Sequence, residues 1–297
     1  MPVSMGWLRE AFAADGYIAG DELLVAVYLA LRLEKPLLVE GAPGVGKTEI
    51  AKALARIHGS ELIRLQCYEG LDEAKALYEW NYQRQLIHIQ VAREQGLAVV
   101  ERDLFSEEYL LERPLLKAIR ARERPVLLID ECDKTDEEFE AFLFEVLSDF
   151  QVSIPELGTV PCRQVPVVVL TSNAERELSD GLRRRCIYLY IDFPDVAKET
   201  RIIQSRIPEA GERLAAEAAA VIGLLRAELQ LKKRPSIAET LDWVRALTAL
   251  DVAKLDDVTV ARTANVFLKN RDDIDQVRAK APGLVAKARE RAKLPRE

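Results

Sequence analysis

Residues 41–50 read GAPGVGKTEI, an order typical of a loop that binds phosphate. Gly41, Gly46, Lys47 and Thr48 fill the pattern G-x-x-x-x-G-K-[ST]. In this pattern the glycines let backbone N–H groups turn toward phosphate oxygens, the lysine reaches the β and γ phosphates, and the hydroxyl ligates magnesium. The residues predicted to contact a nucleotide here are Gly41, Ala42, Pro43, Gly44, Val45, Gly46, Lys47, Thr48 and Glu49.

A second candidate for chemistry is the pair of carboxylates that ends the apolar run RPVLLIDECDK, residues 124–134. Downstream of a complete phosphate loop, Asp130 is expected to hold Mg²⁺ together with Thr48. Glu131 is expected to take a proton from the water that attacks the γ-phosphate. A switch GTPase would not need this second carboxylate. The alternative interpretation is a pair of surface acids at the end of a strand.

A third candidate, Asn173, follows the apolar stretch VPVVVLTS. If this strand lies between the phosphate-loop strand and the acidic strand, its end points at the γ-phosphate. Asn173 could then orient the attacking water. The alternative is an asparagine that opens a turn, as asparagine readily does.

These residues require a sheet whose strands end at one edge, and five segments have the composition of such strands. Most are continuous β-branched or leucine runs, as expected for strands buried on both faces, and helical stretches separate them. We therefore predict an α/β fold with a parallel five-stranded sheet covered by helices. The five segments are PLLVE (36–40), ELIRLQCY (61–68), PVLLID (125–130), VPVVVLTS (165–172) and CIYLYIDF (186–193).

The composition changes after residue 196, where strand-like runs give way to successive amphipathic helices. We predict an α/β domain at 1–196, with an N-terminal helix and inserted hairpins near 70–90 and 150–163, and a small all-helical domain at 197–297. Four scattered cysteines and two histidines predict neither a disulfide framework nor a zinc site. The chain has no stretch of about 20 apolar residues, which predicts a cytoplasmic protein without a membrane span.

In chain order, the phosphate loop, the acidic strand end, Asn173, an arginine-rich turn and a helical end resemble an AAA+ ATPase. Within that superfamily the chain resembles the MoxR-type ATPases. More narrowly, it resembles the branch linked to maturation of carbon monoxide dehydrogenase and related molybdenum hydroxylases. The narrower resemblance rests on GAPGVGKTEIAKAL, LYEWNYQRQLI, LSDGLRRRCIYLYIDFP and KKRPSIAETLDWVRAL.

The resemblance implies a P-loop NTPase fold with a helical lid, and Mg²⁺-dependent ATP hydrolysis. It assigns 41–48 as Walker A, Asp130 and Glu131 as Walker B, and Asn173 as sensor 1. It also implies a homo-oligomeric ring, usually a hexamer, with ATP bound between neighbours. Such rings remodel a client, here a metalloenzyme, and often work with a von Willebrand factor A-type partner.

The turn LRRRC places three arginines together in a chain of formal net charge -7. In the resembled family this turn lies at the subunit edge, where an arginine reaches the neighbour's γ-phosphate and stabilises transition-state charge. Alignment with the family pattern gives this role to Arg185, acting in trans, with Arg183 or Arg184 as helpers. The alternative is a solvated basic cluster that pairs with acids such as Asp180.

Two further segments keep more than one interpretation. The aromatic residues Tyr78, Trp80 and Tyr82 either belong to the core or face a client, and the hairpin-like FQVSIPELGTVP (150–161) is a similar candidate. In KKRPSIAET, Ile237 stands where related lids carry a sensor-2 arginine. Either Arg234 or Lys233 substitutes and binds the nucleotide, or the function is absent.

Three functions remain as hypotheses. The first is a ring-forming ATPase that acts as a chaperone-like remodeller in metalloenzyme maturation. The second is a nucleic-acid motor or loader of the same superfamily, which the acidic net charge disfavours. The third is a nucleotide-gated scaffold that binds ATP with negligible hydrolysis, which the presence of Glu131 disfavours.

Overall fold

The computed structural model describes residues 3–96 and 101–292, apart from the side chains of residues 101 and 102. The chain divides into two compact units. The sheet unit comprises the residues up to Ala11, Ala19–Glu40 and Lys47–Tyr190. The helical unit comprises Phe12–Ile18, Gly41–Gly46 and the residues from Ile191 onward. The predicted domain division after residue 196 remains a prediction.

A parallel five-stranded sheet confirms the predicted α/β fold. Its strand order is β2-β5-β8-β1-β9, so the strands cross over rather than follow the chain. Two additional antiparallel pairs are β3 with β4 and β6 with β7. The strands are β1 Leu37–Gly41, β2 Leu62–Gln66, β3 Tyr78–Trp80, β4 Leu110–Glu112, β5 Val126–Asp130, β6 Gln151–Ile154, β7 Gly158–Pro161, β8 Val167–Ser172 and β9 Ile187–Ile191.

Helices connect the strands and form the C-terminal part of the chain. Within residues 3–96 and 101–292, no helix is long and apolar enough to cross a membrane. The helices are α1 Met5–Ala14, α2 Asp21–Leu33, α3 Lys47–His58, α4 Glu73–Ala76, α5 Tyr82–Glu94, α6 Glu101–Leu104, α7 Pro114–Arg120, α8 Glu137–Asp149, α9 Asp180–Arg185, α10 Val196–Arg206, α11 Gly211–Glu228, α12 Ile237–Ala249, α13 Asp257–Phe267, α14 Arg271–Lys280 and α15 Leu284–Arg291.

The two central strands of the sheet are buried along their whole length. Every residue of β5 and of β8 is buried, which agrees with their continuous runs of valine, leucine and isoleucine. Leu115 and Leu116 of α7 and Leu143 of α8 join the same core. This packing holds the carboxyl ends of β5 and β8 side by side.

The segment 70–90, predicted as an inserted hairpin, has a different structure. It contains α4, the three-residue strand β3 and the start of α5, and β3 pairs with β4 about 30 residues later. A local hairpin does not form because Asp72 and Asn81 cap helices on either side of β3. Trp80 is buried in the core, whereas Tyr82 is exposed on α5.

Residues 150–161 form the antiparallel pair β6–β7, with Ile154 opposite Gly158. Ile154 and Val152 are buried, whereas Gln151 and Ser153 are exposed. The alternation of buried and exposed side chains is that of a hairpin with one face on the core.

The helical unit has its own core around Trp243 of α12. The Trp243 and Phe267 ring centroids are 4.6 Å apart, and the indole N–H donates to Thr263 Oγ1 at 2.8 Å. A buried ion pair joins α11 to α10, because Arg226 donates to both carboxylate oxygens of Glu199 at 2.6 and 2.9 Å. These contacts fix the helices that follow β9.

Candidate active site

The phosphate-loop glycines take backbone conformations that other residues rarely adopt. Gly44 has φ +77° and Gly46 has φ +97°. A Cβ on Gly44 would lie 2.4 Å from Ser236 Cβ, so a side chain would collide with the residue that caps α12. Gly44, at a variable position of the motif, therefore meets a steric requirement as well as a conformational one, whereas Gly46 meets a conformational one.

Helix α3 begins at Lys47, immediately after this loop, and the N-terminus of a helix favours an anion. Val45 of the loop is buried. Glu49, also predicted to contact the nucleotide, lies in the first turn of α3 and its carboxylate accepts from Arg56 at 3.0 Å. That a phosphate binds here remains a prediction.

Three of the predicted motifs meet at the carboxyl edge of the sheet. Lys47 Nζ donates to Asn173 Oδ1 at 2.8 Å, and Thr48 Oγ1 donates to Asp130 Oδ1 at 3.1 Å. The strand order explains these contacts, because β8 lies between β5 and β1. Residues far apart in sequence are therefore brought within hydrogen-bond distance.

Lys47 is buried despite its charge. Burial lowers the pKa of its ammonium group, and the nearby carboxylates of Asp133, Asp130 and Glu131 oppose this shift. The Lys47 ammonium group is thus held among carboxylates of the chain itself.

Asp130 is a buried carboxylate, 3% exposed, with donors on both oxygens. Thr171 Oγ1 donates to Oδ1 at 2.6 Å, and Arg64 Nη2 donates to Oδ2 at 2.5 Å. Arg64 comes from β2, which pairs with β5 so that Gln66 is opposite Asp130. Neither Thr171 nor Arg64 was among the predicted site residues.

Glu131 has the left-handed φ of +59°, which turns its side chain out of the strand direction. Its Oε2 accepts from Gln66 Nε2 at 3.1 Å and from Lys134 Nζ at 2.7 Å. The hydrogen bond to Glu131 raises the pKa of the Lys134 ammonium. The backbone N–H of Glu131 donates to Thr171 Oγ1 at 2.9 Å, so Thr171 is hydrogen-bonded to both Asp130 and Glu131.

Asp133 anchors the turn that carries Asn173. Its Oδ2 accepts from the backbone N–H of Asn173 at 3.0 Å and of Glu175 at 2.9 Å. Ala174, between them, has φ +59°. Asp133 is 4% exposed, so a buried carboxyl group holds this turn. The sequence contains one signal for it, a third acid shortly after the end of β5.

The three arginines of α9 differ in their partners. Arg183 ion-pairs with Glu177 at 3.4 Å, and Arg184 is 3.9 Å from Asp180. Arg185 stacks on the Phe144 ring, with its guanidinium carbon 4.8 Å from the ring centroid. In the part of the chain that the structure describes, Arg185 has no carboxylate partner.

The segment before α12 shows what stands at the predicted sensor-2 position. Ser236 caps α12 in a capping box with Glu239, and Ile237 is the first residue of the helix. Lys233 Nζ is 3.4 Å from Glu239, which engages this side chain in the cap. Arg234 is exposed, and it remains the candidate for nucleotide binding.

The donor set at Thr48 and Asp130 fits a magnesium ion. Mg²⁺ binds oxygen ligands and is usually held by one or two protein groups together with phosphates. A hydroxyl and a carboxylate oxygen lie 3.1 Å apart here, beside the predicted phosphate loop. By contrast, the described residues contain no cluster of three or more His, Cys, Asp and Glu side chains that could hold a metal alone.

The fold and this arrangement of side chains define a P-loop nucleotide-binding protein. Residues 37–194 match the family of ATPases associated with various cellular activities (AAA). This match covers more than half of the chain, so the chain belongs to the AAA family of ATPases.

The fold is also similar to that of solved structures. Two structures of Thermotoga maritima RuvB mutants align with TM-scores of 0.48, at 18% and 19% identity. Each alignment covers 89% of this chain and 70% of the RuvB chain. Midasin from Giardia intestinalis is 46% identical over 43 residues, which is 14% of this chain and 1% of midasin.

Proposed function

We propose that the chain is a Mg²⁺-dependent AAA+ ATPase of the MoxR type that forms a ring and remodels a metalloenzyme client. The observation that carries the hydrolytic part is the convergence of Lys47, Thr48, Asp130 and Asn173 through contacts of 2.8 and 3.1 Å. AAA proteins bind nucleotide, usually with Mg²⁺, and commonly assemble into rings.

Each of the convergent residues has one task in this proposal. Lys47 binds the β and γ phosphates, and Thr48 with Asp130 holds the metal. Bound Mg²⁺ neutralises charge on the phosphate oxygens. Asn173 orients the attacking water, and the Glu131 carboxylate accepts its proton. Phosphoryl transfer needs mainly positioning and charge stabilisation, which is what this set of side chains supplies.

The ring part of the proposal rests on Arg185. An arginine on an exposed turn that has no carboxylate partner among the described residues is available to a second molecule. Its planar guanidinium suits phosphate oxygens, so we propose that Arg185 contacts ATP bound to the neighbouring subunit. Arg183 and Arg184 then hold the turn through Glu177 and Asp180.

The client and partner are proposed from the MoxR resemblance. The exposed apolar side chains of α5 support a client-facing role for this segment, because a helix in water rarely exposes so many. The von Willebrand factor A-type partner and the molybdenum hydroxylase client follow from the resemblance alone. The exposed apolar residues of α5 are Tyr82, Leu86, Ile87 and Val91.

Phosphate release from ATP by the purified chain tests the hydrolytic proposal. In the presence of Mg²⁺, Glu131→Gln should lower the rate about a hundredfold or more while ATP stays bound, because the variant cannot accept the proton. Glu138→Gln is the matched control, since Glu138 is exposed on α8. Its rate should equal that of the wild-type protein.

Two results would contradict the proposal. Equal rates for the wild-type chain and Glu131→Gln would remove Glu131 from catalysis. Tight ATP binding with negligible release by the wild-type chain would favour the nucleotide-gated scaffold. For the client, a purified molybdenum hydroxylase apoprotein should bind Glu131→Gln with ATP more tightly than with ADP.

A further inference from the structure

We propose that Arg64 is a cationic stand-in for the metal: it neutralises Asp130 in the nucleotide-free chain and opposes divalent-cation binding until ATP arrives. This inference rests on the proposed function, because it assumes that Asp130 holds Mg²⁺. It adds a residue of β2 to the site and makes metal binding conditional on nucleotide.

The geometry places the guanidinium where a cation is needed. Arg64 Nη2 is 2.5 Å from Asp130 Oδ2, and Arg64 also donates to Gln66 Oε1. The other carboxylate oxygen, Oδ1, accepts from the hydroxyls of Thr171 and Thr48. Three donors of the chain itself therefore face Asp130, two at Oδ1 and one at Oδ2.

Burial makes this neutralisation necessary. The Asp130 side chain is 5% exposed, whereas the Arg64 side chain is 50% exposed. A buried carboxylate without a counter-charge is costly, and Arg64 supplies an ion pair to Asp130. Arg64 thus stabilises the empty site.

The same contact opposes a second cation. A divalent ion bound to Asp130 and Thr48 would stand close to the guanidinium, and like charges at such distances repel. Because half of the Arg64 side chain is already in water, it can leave Asp130 by rotating about its own side-chain bonds. ATP supplies phosphate oxygens as additional metal ligands and as a new anion for Lys47, which offsets the loss of the ion pair.

Titration of nucleotide-free protein with Mn²⁺, followed by electron paramagnetic resonance, tests this inference. Removing the competing charge in Arg64→Gln should raise Mn²⁺ affinity at least about fivefold, the lower end of ordinary coupling between two sites. The added Asp130→Asn change should abolish the gain. Arg64→Lys keeps the positive charge on a shorter side chain, so its Mn²⁺ affinity should rise less than that of Arg64→Gln.

Arg84→Gln is the matched control, because Arg84 is similarly exposed and pairs with the surface residue Glu108. Its Mn²⁺ affinity should be that of the wild-type chain. Unchanged or weaker affinity in folded Arg64→Gln overturns the proposal, and so does a gain that survives Asp130→Asn. If Arg64→Gln does not fold, the comparison of Arg64→Lys with the wild-type chain decides by the same criterion. The titration contains no ATP, so failure of hydrolysis is a separate outcome.

Discussion

The carboxyl ends of β5 and β8 and the arginine turn of α9 are two polar regions of one unit with opposite character. Asp130, Asp133 and Thr171 are each 4% exposed or less, and each has several hydrogen-bond partners within the chain. The arginines of α9 are more exposed, and within the described part of the chain Arg185 lacks a carboxylate partner. The first region is buried and bonded mostly within the chain, although Asp133 Oδ1 has no hydrogen-bond partner among the described residues. The second region is exposed and, among the same residues, leaves the Arg185 guanidinium without a carboxylate.

This difference indicates how the chemistry is divided. Buried groups held by several hydrogen bonds cannot reorient cheaply, so the strand ends form a preorganised site for phosphate and metal. An exposed arginine contributes little to stability through surface ion pairs. It stabilises negative charge only where an anion binds next to it. We infer that the chain binds ATP by itself but requires a second copy to hydrolyse it rapidly.

The largest expected effect tests the buried region at the carboxyl ends of β5 and β8. Lys47→Ala should remove measurable binding of a fluorescent ATP analogue, because alanine lacks the ammonium group that contacts Asn173 and is expected to bind the phosphates. Lys52→Ala is the control, since Lys52 lies on the exposed side of the same helix. Binding by Lys47→Ala within tenfold of the wild-type chain would place the phosphate site elsewhere.

The Arg185→Ala variant tests the exposed arginine turn of α9. ATP affinity should stay unchanged, while hydrolysis should fall about a thousandfold, as expected for an arginine that stabilises transition-state charge in trans. Arg184→Ala should have little effect, because Arg184 is directed toward Asp180 on its own helix. Phosphate release and analogue binding measured on the same preparations separate the two effects.

Mixed assemblies sharpen this test. Arg185→Ala and Lys47→Ala chains are each inactive in the proposal, but a mixed ring contains sites with an intact Lys47 and an intact neighbouring Arg185. Mixing should therefore restore part of the activity. No recovery in rings shown to contain both variants would mean that Arg185 does not act across the subunit boundary.

The sheet was predictable because most of its strands are continuous apolar runs. All positions of β5 and β8 are buried, so their apolar composition alone identifies them as strands. The phosphate-loop motif identifies β1, because this motif follows directly after a strand. The segment 70–90 was not predictable in the same way. Its strand β3 has three residues and pairs with a strand about 30 residues away, a contact that local sequence does not encode.

The site was predictable where a motif specifies it and not where packing does. Thr48 and Asp130 carry a motif, whereas Arg64 and Gln66 reach the site because alternate residues of β2 share one face. That β2 lies beside β5 follows from strand order, which the sequence did not give. Which arginine of α9 lacks a partner likewise depended on contacts with Glu177 and Asp180.

The smallest expected effect concerns Asp133, which holds the turn that carries Asn173. Asp133→Ala removes the acceptor for the Asn173 and Glu175 backbone N–H groups and should lower the free energy of unfolding by about 2–4 kcal/mol. Hydrolysis should fall about tenfold because Asn173 loses its fixed turn. Asp133→Asn keeps one acceptor oxygen and should retain most of the rate. Urea unfolding and phosphate release measure the two quantities.

If Asp133→Asn lost as much hydrolysis as Asp133→Ala, the charge rather than the hydrogen-bond geometry would be required. Asp133 is also the first of the carboxylates that raise the pKa of Lys47 against the effect of burial. A charge effect should therefore appear in ATP affinity, through Lys47, whereas a loss of turn geometry should appear in the hydrolytic rate alone. Comparing the change in ATP affinity with the change in hydrolytic rate in Asp133→Asn thus separates an electrostatic role of Asp133 from a positioning role. Only the positioning role would mean that the strand ends hold Asn173 in a fixed orientation.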